Sequence, residues 1–473
     1  MAQELKADLC VIGAGSGGLG VAAGASQMGA STVLIEKGRM GGDCLNFGCV
    51  PSKALLAAGH AADGARRAGR FGVECGKPVV DGARLHGHVH GVIAAIAPMD
   101  SVERFEGLGV KVIQAPARFT GPAEVEAGEY LVRARRFVLA TGSTPAVPPI
   151  SGLDQVPFDT NETIFDKTAV PRHLIIIGGG PIGMEMAQAH RQLGAEVTVL
   201  EAVRVLPRDD PELVAILSER LAGEGIDIRE QSKVVRVERA AEGIAVVVEA
   251  NGGEERIEGS DLLVATGRKA TVEGLGLEAA GVEYSPRGIA VDARLRTTNK
   301  RIYAVGDVVG SYQFTHIAGY HAGIVIRNAL FRLPAKVDYR AVPWVTYTAP
   351  ELAHVGLDES QARARHGAIQ VLRWPFAEND RAQAEREVDG LAKVVTKGTR
   401  VLGASILGPS AGELIQLWGL AISQKIKIGA IASMITPYPT LGEVNKRAAG
   451  SFFTPALFGE RTKRIVRLLA KFG

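Results

Sequence analysis

The chain carries only four cysteines, Cys10, Cys44, Cys49 and Cys75, in 473 residues. That is too sparse for the disulfide framework of a small secreted scaffold. Aromatics are also few, at 5%, and neither sign of charge dominates: 54 basic against 51 acidic side chains leave a net charge of +3. This balance excludes the strongly basic surface of a nucleic-acid binder. No apolar run reaches the length that spans a bilayer. The N-terminus leads almost directly into the apolar segment Asp8-Leu9-Cys10-Val11-Ile12, without the charged-then-apolar pattern of a secretion signal. No histidine follows His366. A cytoplasmic protein is the expectation.

What is present is a large apolar fraction, 46%, and 58 glycines. That suffices for a sizeable core, many tight turns and about three domains. Two of the cysteines lie close together in Gly41-Gly42-Asp43-Cys44-Leu45-Asn46-Phe47-Gly48-Cys49-Val50-Pro51-Ser52-Lys53. In a regular helix positions five apart are separated by about 7.5 Å along the axis, beyond the roughly 7 Å reach of a disulfide. A bridge therefore requires an irregular helix start, and Gly48 allows the bend. The run from Lys53 to Ala58 reads as helix. It places Cys49 at a helix N-terminus, where the dipole favours a thiolate. A close pair in a reducing compartment points to catalysis. Cys10, inside an apolar strand, reads as an inert buried thiol, and Cys75 as a loop residue.

A repeat organises the first two thirds. Leu9–Gly18 and Leu174–Gly183 are each an apolar strand, a glycine turn and a helix start. Both match Gly-x-Gly-x-x-Gly, at Gly13, Gly15, Gly18 and at Gly178, Gly180, Gly183. An acidic residue, Glu36 or Glu201, follows the first glycine by 23 positions in both copies. The first glycine permits the turn, the second lets backbone approach a pyrophosphate, and the third packs helix on strand. The helix N-terminus holds phosphate, and the carboxylate takes the ribose hydroxyls. One such motif is weak evidence; two in register predict two dinucleotides in two doubly wound α/β domains. A carboxylate at Glu201 repels a 2′-phosphate and favours NAD(H), with NADP(H) left open by Arg204 nearby, which otherwise reads as a surface charge. Apolar strands ending in glycine recur at Phe137–Pro145, Leu262–Arg268 and Arg301–Val308. They carry Thr141, Gly142, Ser143, Gly267, Gly306 and Asp307 to the carboxyl edge of a sheet, where ligands bind. After about residue 340 the texture changes to strands near 342–347, 391–395 and 402–407 and helices near 411–424 and 442–450, an α+β domain without a nucleotide motif.

On these residues the chain resembles the flavin-dependent pyridine nucleotide–disulfide oxidoreductases, the family of dihydrolipoamide dehydrogenase, glutathione reductase and mercuric reductase, over nearly its whole length. The resemblance implies FAD on the first repeat and NAD(P)H on the second. It also implies a C-terminal dimerisation domain and active sites built by both subunits of a homodimer. The implied segments are 1–155 and 281–340 for FAD, 156–280 for NAD(P) and 341–473 for dimerisation. By position it assigns Gly13, Gly15, Gly18 and Glu36 to the adenosine half of FAD, Ala117 to its adenine end, and Thr141, Gly142 and Ser143 to its neighbourhood. Asp307 falls to the ribityl–pyrophosphate region, with Thr315 nearby. Cys44 corresponds to the thiol that meets substrate, Cys49 to the thiol against the flavin. Lys53 and Glu185 correspond to an ion pair that stabilises the reduced flavin. The family pattern has threonine at position 43; Asp43 adds negative charge, which a lysine or a metal ion is expected to balance.

One departure bears on substrate. Where dihydrolipoamide dehydrogenase and glutathione reductase carry His-Pro followed by a glutamate, this chain reads Thr436-Pro437-Tyr438-Pro439-Thr440-Leu441-Gly442-Glu443. Free tyrosine titrates near 10 and histidine near 6.5, so Tyr438 is a poor base for activating a dithiol. Mercuric reductase places tyrosine in a similar context, but carries a C-terminal cysteine pair, whereas here no cysteine follows Cys75. Tyr438–Pro439 is a candidate cis bond.

The expected activity is electron transfer from NADH through FAD and the Cys44–Cys49 redox disulfide to a disulfide or dithiol, in the manner of dihydrolipoamide dehydrogenase. Reduction of a thiol-bound metal such as Hg(II), NAD(P)H oxidase or quinone reductase chemistry, and a non-enzymatic redox sensor are the alternatives. No structural metal and no nucleic acid are expected. His86, His88 and His90 read as solvent-facing. The basic amphipathic tail 461–472 reads as a helix closing on the dimer domain, with an anionic membrane surface as the other reading.

Overall fold

A computed structural model describes residues 3–250 and 252–472. The chain forms two compact units. The first takes the chain up to Gly178 together with Ala189–Ala202 and Gln231–Val337; the second takes Gly179–Gln188, Val203–Glu230 and the chain from Asp338 onward.

In the first unit a seven-stranded sheet is built from β1 (Gln3–Ile12), β2 (Thr32–Glu36), β3 (Val110–Gln114), β4 (Ala117–Gly121), β5 (Glu124–Ala127), β6 (Tyr130–Leu139) and the strand Ile302–Ala304. Its order is β3-β2-β1-β6-β5-β4, with Ile302–Ala304 pairing in parallel to Phe137–Leu139 of β6. The central pairings are parallel and both faces are covered, which explains continuous apolar runs in place of alternation. Cys10, Ile12, Val33, Ile35, Phe137 and Leu139 fill one face. Leu9, Val11, Leu34 and Val138 fill the other, against Val21, Ala22 and Ala25 of α1 (Ser16–Gln27). Period-2 side-chain alternation sorts neighbours to opposite cores, and it places Cys10 where burial pushes its thiol pKa up. The second repeat forms the parallel strands His173–Ile177, Glu196–Leu200 and Asp261–Val264. They share a core with the antiparallel strands Lys233–Ala240, Gly243–Ala250 and Gly253–Gly259 through Ile175, Ile177, Val246, Val248 and Ile257.

The second unit holds a five-stranded antiparallel sheet of Pro343–Thr346, Glu351–Gly356, Arg400–Gly408, Leu391–Lys397 and Gln370–Pro375, in that order. Trp418 is fully buried against it and donates its indole N–H to Asn445 Oδ1 at 2.8 Å. A buried charge cluster was not legible beforehand. Lys393 Nζ lies 2.8 Å from Asp210, 2.9 Å from Glu212 and 3.1 Å from Glu359. Arg373 sits 2.8 Å from Glu212, whose carboxyl is held down to about 2, most of all by Arg373. Removing one partner of such a pair leaves an uncompensated buried charge.

Candidate active site

The redox pair sits on a broken helix. Helix α2 (Gly42–Asn46) carries Cys44 and stops; Phe47 and Gly48 leave helical geometry, and α3 (Cys49–Arg67) begins at the second cysteine. Gly48 thus makes the irregular start that the spacing requires. Both cysteines are thiols here, hydrogen-bonded to each other. That bond from Cys44, the Thr315 hydroxyl at 3.5 Å and the nearby Lys53 charge lower the Cys49 pKa to about 6, against the opposing effect of burial and Asp43. The same bond and burial push Cys44 up. The pair is therefore divided at neutral pH into a thiolate at the helix N-terminus and a thiol that donates to it.

The first glycine turn lies beside this pair. Gly13 has φ +104, and a Cβ there would come within 2.3 Å of Ala140 O. Gly41 N–H donates to Ala14 O at 3.0 Å. Gly42 fits against Gly15 so closely that its Cβ would lie 2.6 Å from Gly15 Cα. Glu36 closes on the turn: it accepts from Ala14 N at 2.6 Å and from Gly38 N at 2.7 Å. At Gly142, φ +66, a side chain would meet nothing within 4 Å. A turn stripped of side chains, an acid at its mouth and open space over Gly142 fit a dinucleotide such as FAD.

Polar groups line the same unit. Thr141 Oγ1 donates to Thr271 O at 2.7 Å. Ser143 Oγ donates to Asp307 at 2.6 Å and accepts from Arg268 Nε at 2.7 Å. Burial raises the Asp307 carboxyl pKa, partly offset by Ser143 and Arg268. Gly306 N–H donates to Nδ1 of the fully buried His321, whose pKa burial depresses to about 4. Ala117 opens β4 and packs against the core. Asp43 is met by an arginine, where a lysine or a metal ion was the expectation. Arg268 lies 2.8 Å away, and Asn161 donates to it at 3.1 Å. The sequence names Arg268 only as the end of a strand; nothing in its spacing connects it to Asp43.

In the second repeat Gly178 has φ +114, and a Cβ would sit 2.5 Å from Ala265 O; a side chain at Gly180 would meet open space. Glu201 directly follows the strand Glu196–Leu200. Gly267 takes φ +128 in the turn between the strands Asp261–Val264 and Arg268–Ala270. Arg204 donates to Pro207 O at 2.7 Å within its own loop. Glu185 is only 5% exposed, and its carboxylate accepts from Tyr347 N at 2.9 Å.

Tyr438 is 69% exposed, and the Tyr438–Pro439 bond is cis, as expected. Its hydroxyl donates to Asp380 at 2.8 Å. That bond, and then the Asp380 and Glu443 charges, raise its pKa further above the ordinary value. Asp380 was missed, because nothing local in the sequence ties it to position 438.

The histidine motif also departs from expectation. Residues 86–90 belong to the helix α4 (Gly82–Ile96), so His86 and His90 share a face, half-buried, with ring centroids 4.1 Å apart. His90 Nε2 lies 3.3 Å from Asp166. Only His88 is exposed, and it bonds Ala54 O.

Two family models cover most of the chain: pyridine nucleotide-disulphide oxidoreductase over residues 7–322, and the dimerisation domain of the same family over 342–449. A mercuric reductase of Streptomyces lividans is 37% identical over 454 residues, covering 94% of this chain and 96% of that protein. A dihydrolipoyl dehydrogenase of Thermus scotoductus is 36% identical over 463 residues, 95% and 98% of the two chains. Among solved structures, the Cu(II) complex of the HOCl-induced flavoprotein disulfide reductase RclA from Escherichia coli matches with a TM-score of 0.84 and 27% identity, covering 93% of this chain and 98% of that one. The divided thiol pair, the paired glycine turns and these matches agree: the chain belongs to the FAD-containing, NAD(P)-dependent pyridine nucleotide–disulfide oxidoreductases.

Proposed function

We propose that the chain, as a homodimer, reduces a small disulfide of the lipoamide type with electrons from NADH, working in the reducing direction. Bound FAD supplies the two-electron relay between nicotinamide and the cysteine pair. Gly13, Gly15, Gly18, Glu36, Ala117, Thr141, Gly142, Ser143, Asp307 and Thr315 hold that cofactor, and Lys53 and Glu185 serve its reactive nitrogen. Gly178, Gly180, Gly183 and Glu201 bind the nicotinamide dinucleotide, with the Glu201 carboxylate favouring NADH. Cys49, kept as thiolate by its hydrogen bond from Cys44, Thr315 and the Lys53 charge, faces the cofactor side. Cys44 attacks the acceptor. The pair, one thiolate and one thiol, gives up two electrons and one proton as its disulfide forms, and one further proton from solvent completes the conversion of the acceptor disulfide into two thiols. The net reaction consumes one NADH and one proton per disulfide reduced.

The observation that carries the direction is Tyr438, contributed by the partner copy together with Glu443. Its hydroxyl is committed as a donor to Asp380, and its pKa is raised. A phenol so held stays protonated at neutral pH and cannot withdraw a proton from an incoming dithiol, whereas attack on a disulfide starts from a cysteine pair that already holds a thiolate. The test is initial rates with NADH plus oxidised lipoamide against NAD plus dihydrolipoamide, between pH 6 and 8. Faster disulfide reduction supports the reading, with Tyr438→His raising the oxidative rate selectively. Equal or faster dithiol oxidation by the unmodified protein overturns it. Reduction of a thiol-bound Hg(II) is the second reading, favoured by the tyrosine and by the mercuric reductase relatives; it predicts NADH consumption with Hg(II)–thiol complexes and none with lipoamide.

A further inference from the structure

Within its own chain the helix Glu460–Leu469 has no buried residue, where a helix packed on the dimerisation domain was the expectation. It also lies outside the 342–449 match to that domain. At 3.6 residues per turn, Ile465, Val466, Leu468 and Leu469 fall within an arc of about 160°, while Lys463, Arg464 and Arg467 lie on the opposite face. The apolar four are 47%, 59%, 55% and 61% exposed. Leu457 and Phe458 just before the helix and Phe472 just after it are exposed as well, at 57%, 70% and 80%. Arg461 and Lys471 add two cations, against the single acid Glu460. No helix among the described residues is long and apolar enough to cross a membrane.

We propose that this helix lies in the plane of an anionic lipid surface and docks the enzyme there. Charge complementarity selects the occupant. A helix with an aliphatic face, flanking aromatics and a cationic face is matched by an interface that takes apolar side chains inward while its headgroups neutralise the cations. A second copy fits less well. A ten-residue helix offers a footprint of about 15 Å by 10 Å, small beside the roughly 800 Å² per partner of a stable interface. In face-to-face pairing the cationic rows would point outward with nothing to neutralise them, whereas anionic headgroups neutralise them.

The experiment is sedimentation of the flavin-loaded, full-length protein with vesicles of phosphatidylglycerol and phosphatidylcholine in equal parts, or of phosphatidylcholine alone. The proposal expects binding to the anionic vesicles only, weakening as salt is raised to about 0.5 M. Arg464→Ala with Arg467→Ala should weaken binding about 25-fold, since each cation near such a surface contributes about fivefold. Ile465→Glu with Leu469→Glu should abolish it while leaving flavin content and reduction by NADH unchanged, which verifies the fold. Absence of wild-type binding, equal binding to neutral vesicles, or retained binding by the Ile465→Glu/Leu469→Glu variant overturns the proposal. So does a fall in oligomeric mass of that variant without wild-type vesicle binding, which would assign the face to a second copy.

Discussion

The two glycine turns begin alike and are finished differently. Gly13 and Gly178 take φ +104 and +114, and each presses its missing side chain against the backbone of a strand end, at Ala140 and Ala265. The first turn is then roofed: Gly42 lies on Gly15, and Gly41 bonds Ala14. The second leads into a helix whose opening residues, Pro181 and Ile182, are exposed. The same local physics thus yields a covered site suited to a resident cofactor and an open one suited to a dinucleotide that comes and goes.

The largest effect that tests this contrast is a methyl group in each turn. Gly13→Ala is expected to give protein without bound flavin. Gly178→Ala is expected to keep flavin, read by its visible absorbance, and to slow its reduction by NADH at least about 100-fold, read by stopped flow. Loss of flavin from both variants would erase the distinction. Next comes Glu201→Gln. Removing charge-assisted bonds to a ribose costs about 1.5–3 kcal/mol, roughly 10- to 150-fold in the KM for NADH, with a smaller change for NADPH and none in flavin content.

The covered site also has its own pH signature. In the two-electron-reduced protein, absorbance arising from the Cys49 thiolate beside the flavin should fall as pH drops through about 6. Lys53→Met should move that midpoint upward, since the Lys53 charge helps lower it; an unmoved midpoint would remove Lys53 from the account. A further effect is on stability. His321 is neutral in the folded protein with a pKa of about 4, against about 6.5 unfolded. The unfolded chain binds the extra proton, so this contribution is fully present above about pH 6.5 and is lost as pH falls towards 4, by about 3 kcal/mol. Denaturant midpoints of His321→Gln should be flatter across that window.

The repeats were legible because glycine at a positive φ and an acid at a fixed distance are local requirements, written into consecutive residues. The break between α2 and α3 was legible for the same reason, through Gly48. What escaped was made by chain segments distant in sequence: Arg268 against Asp43, Asp380 beneath Tyr438, and Lys393 among Asp210, Glu212 and Glu359. His86, His88 and His90 were read as solvent-facing, but the helix that the Asp81 cap starts, by accepting from Arg84 N, sets His86 and His90 together on one half-buried face. The tail was read as packed because an amphipathic face usually finds a protein partner; here the face is present and packing within its own chain is not.

Gly15 and Gly42 touch backbone to backbone, with no room between them for a methyl group on Gly42. The constraint runs one way: a methyl group on Gly42 collides with Gly15, whereas one on Gly15 meets Gly42 at an ordinary 3.9 Å. A library that varies the segment around Gly42 for new acceptor specificity will keep returning glycine there, and the freedom to evolve this enzyme's thiol chemistry is bounded by the shape of its nucleotide turn.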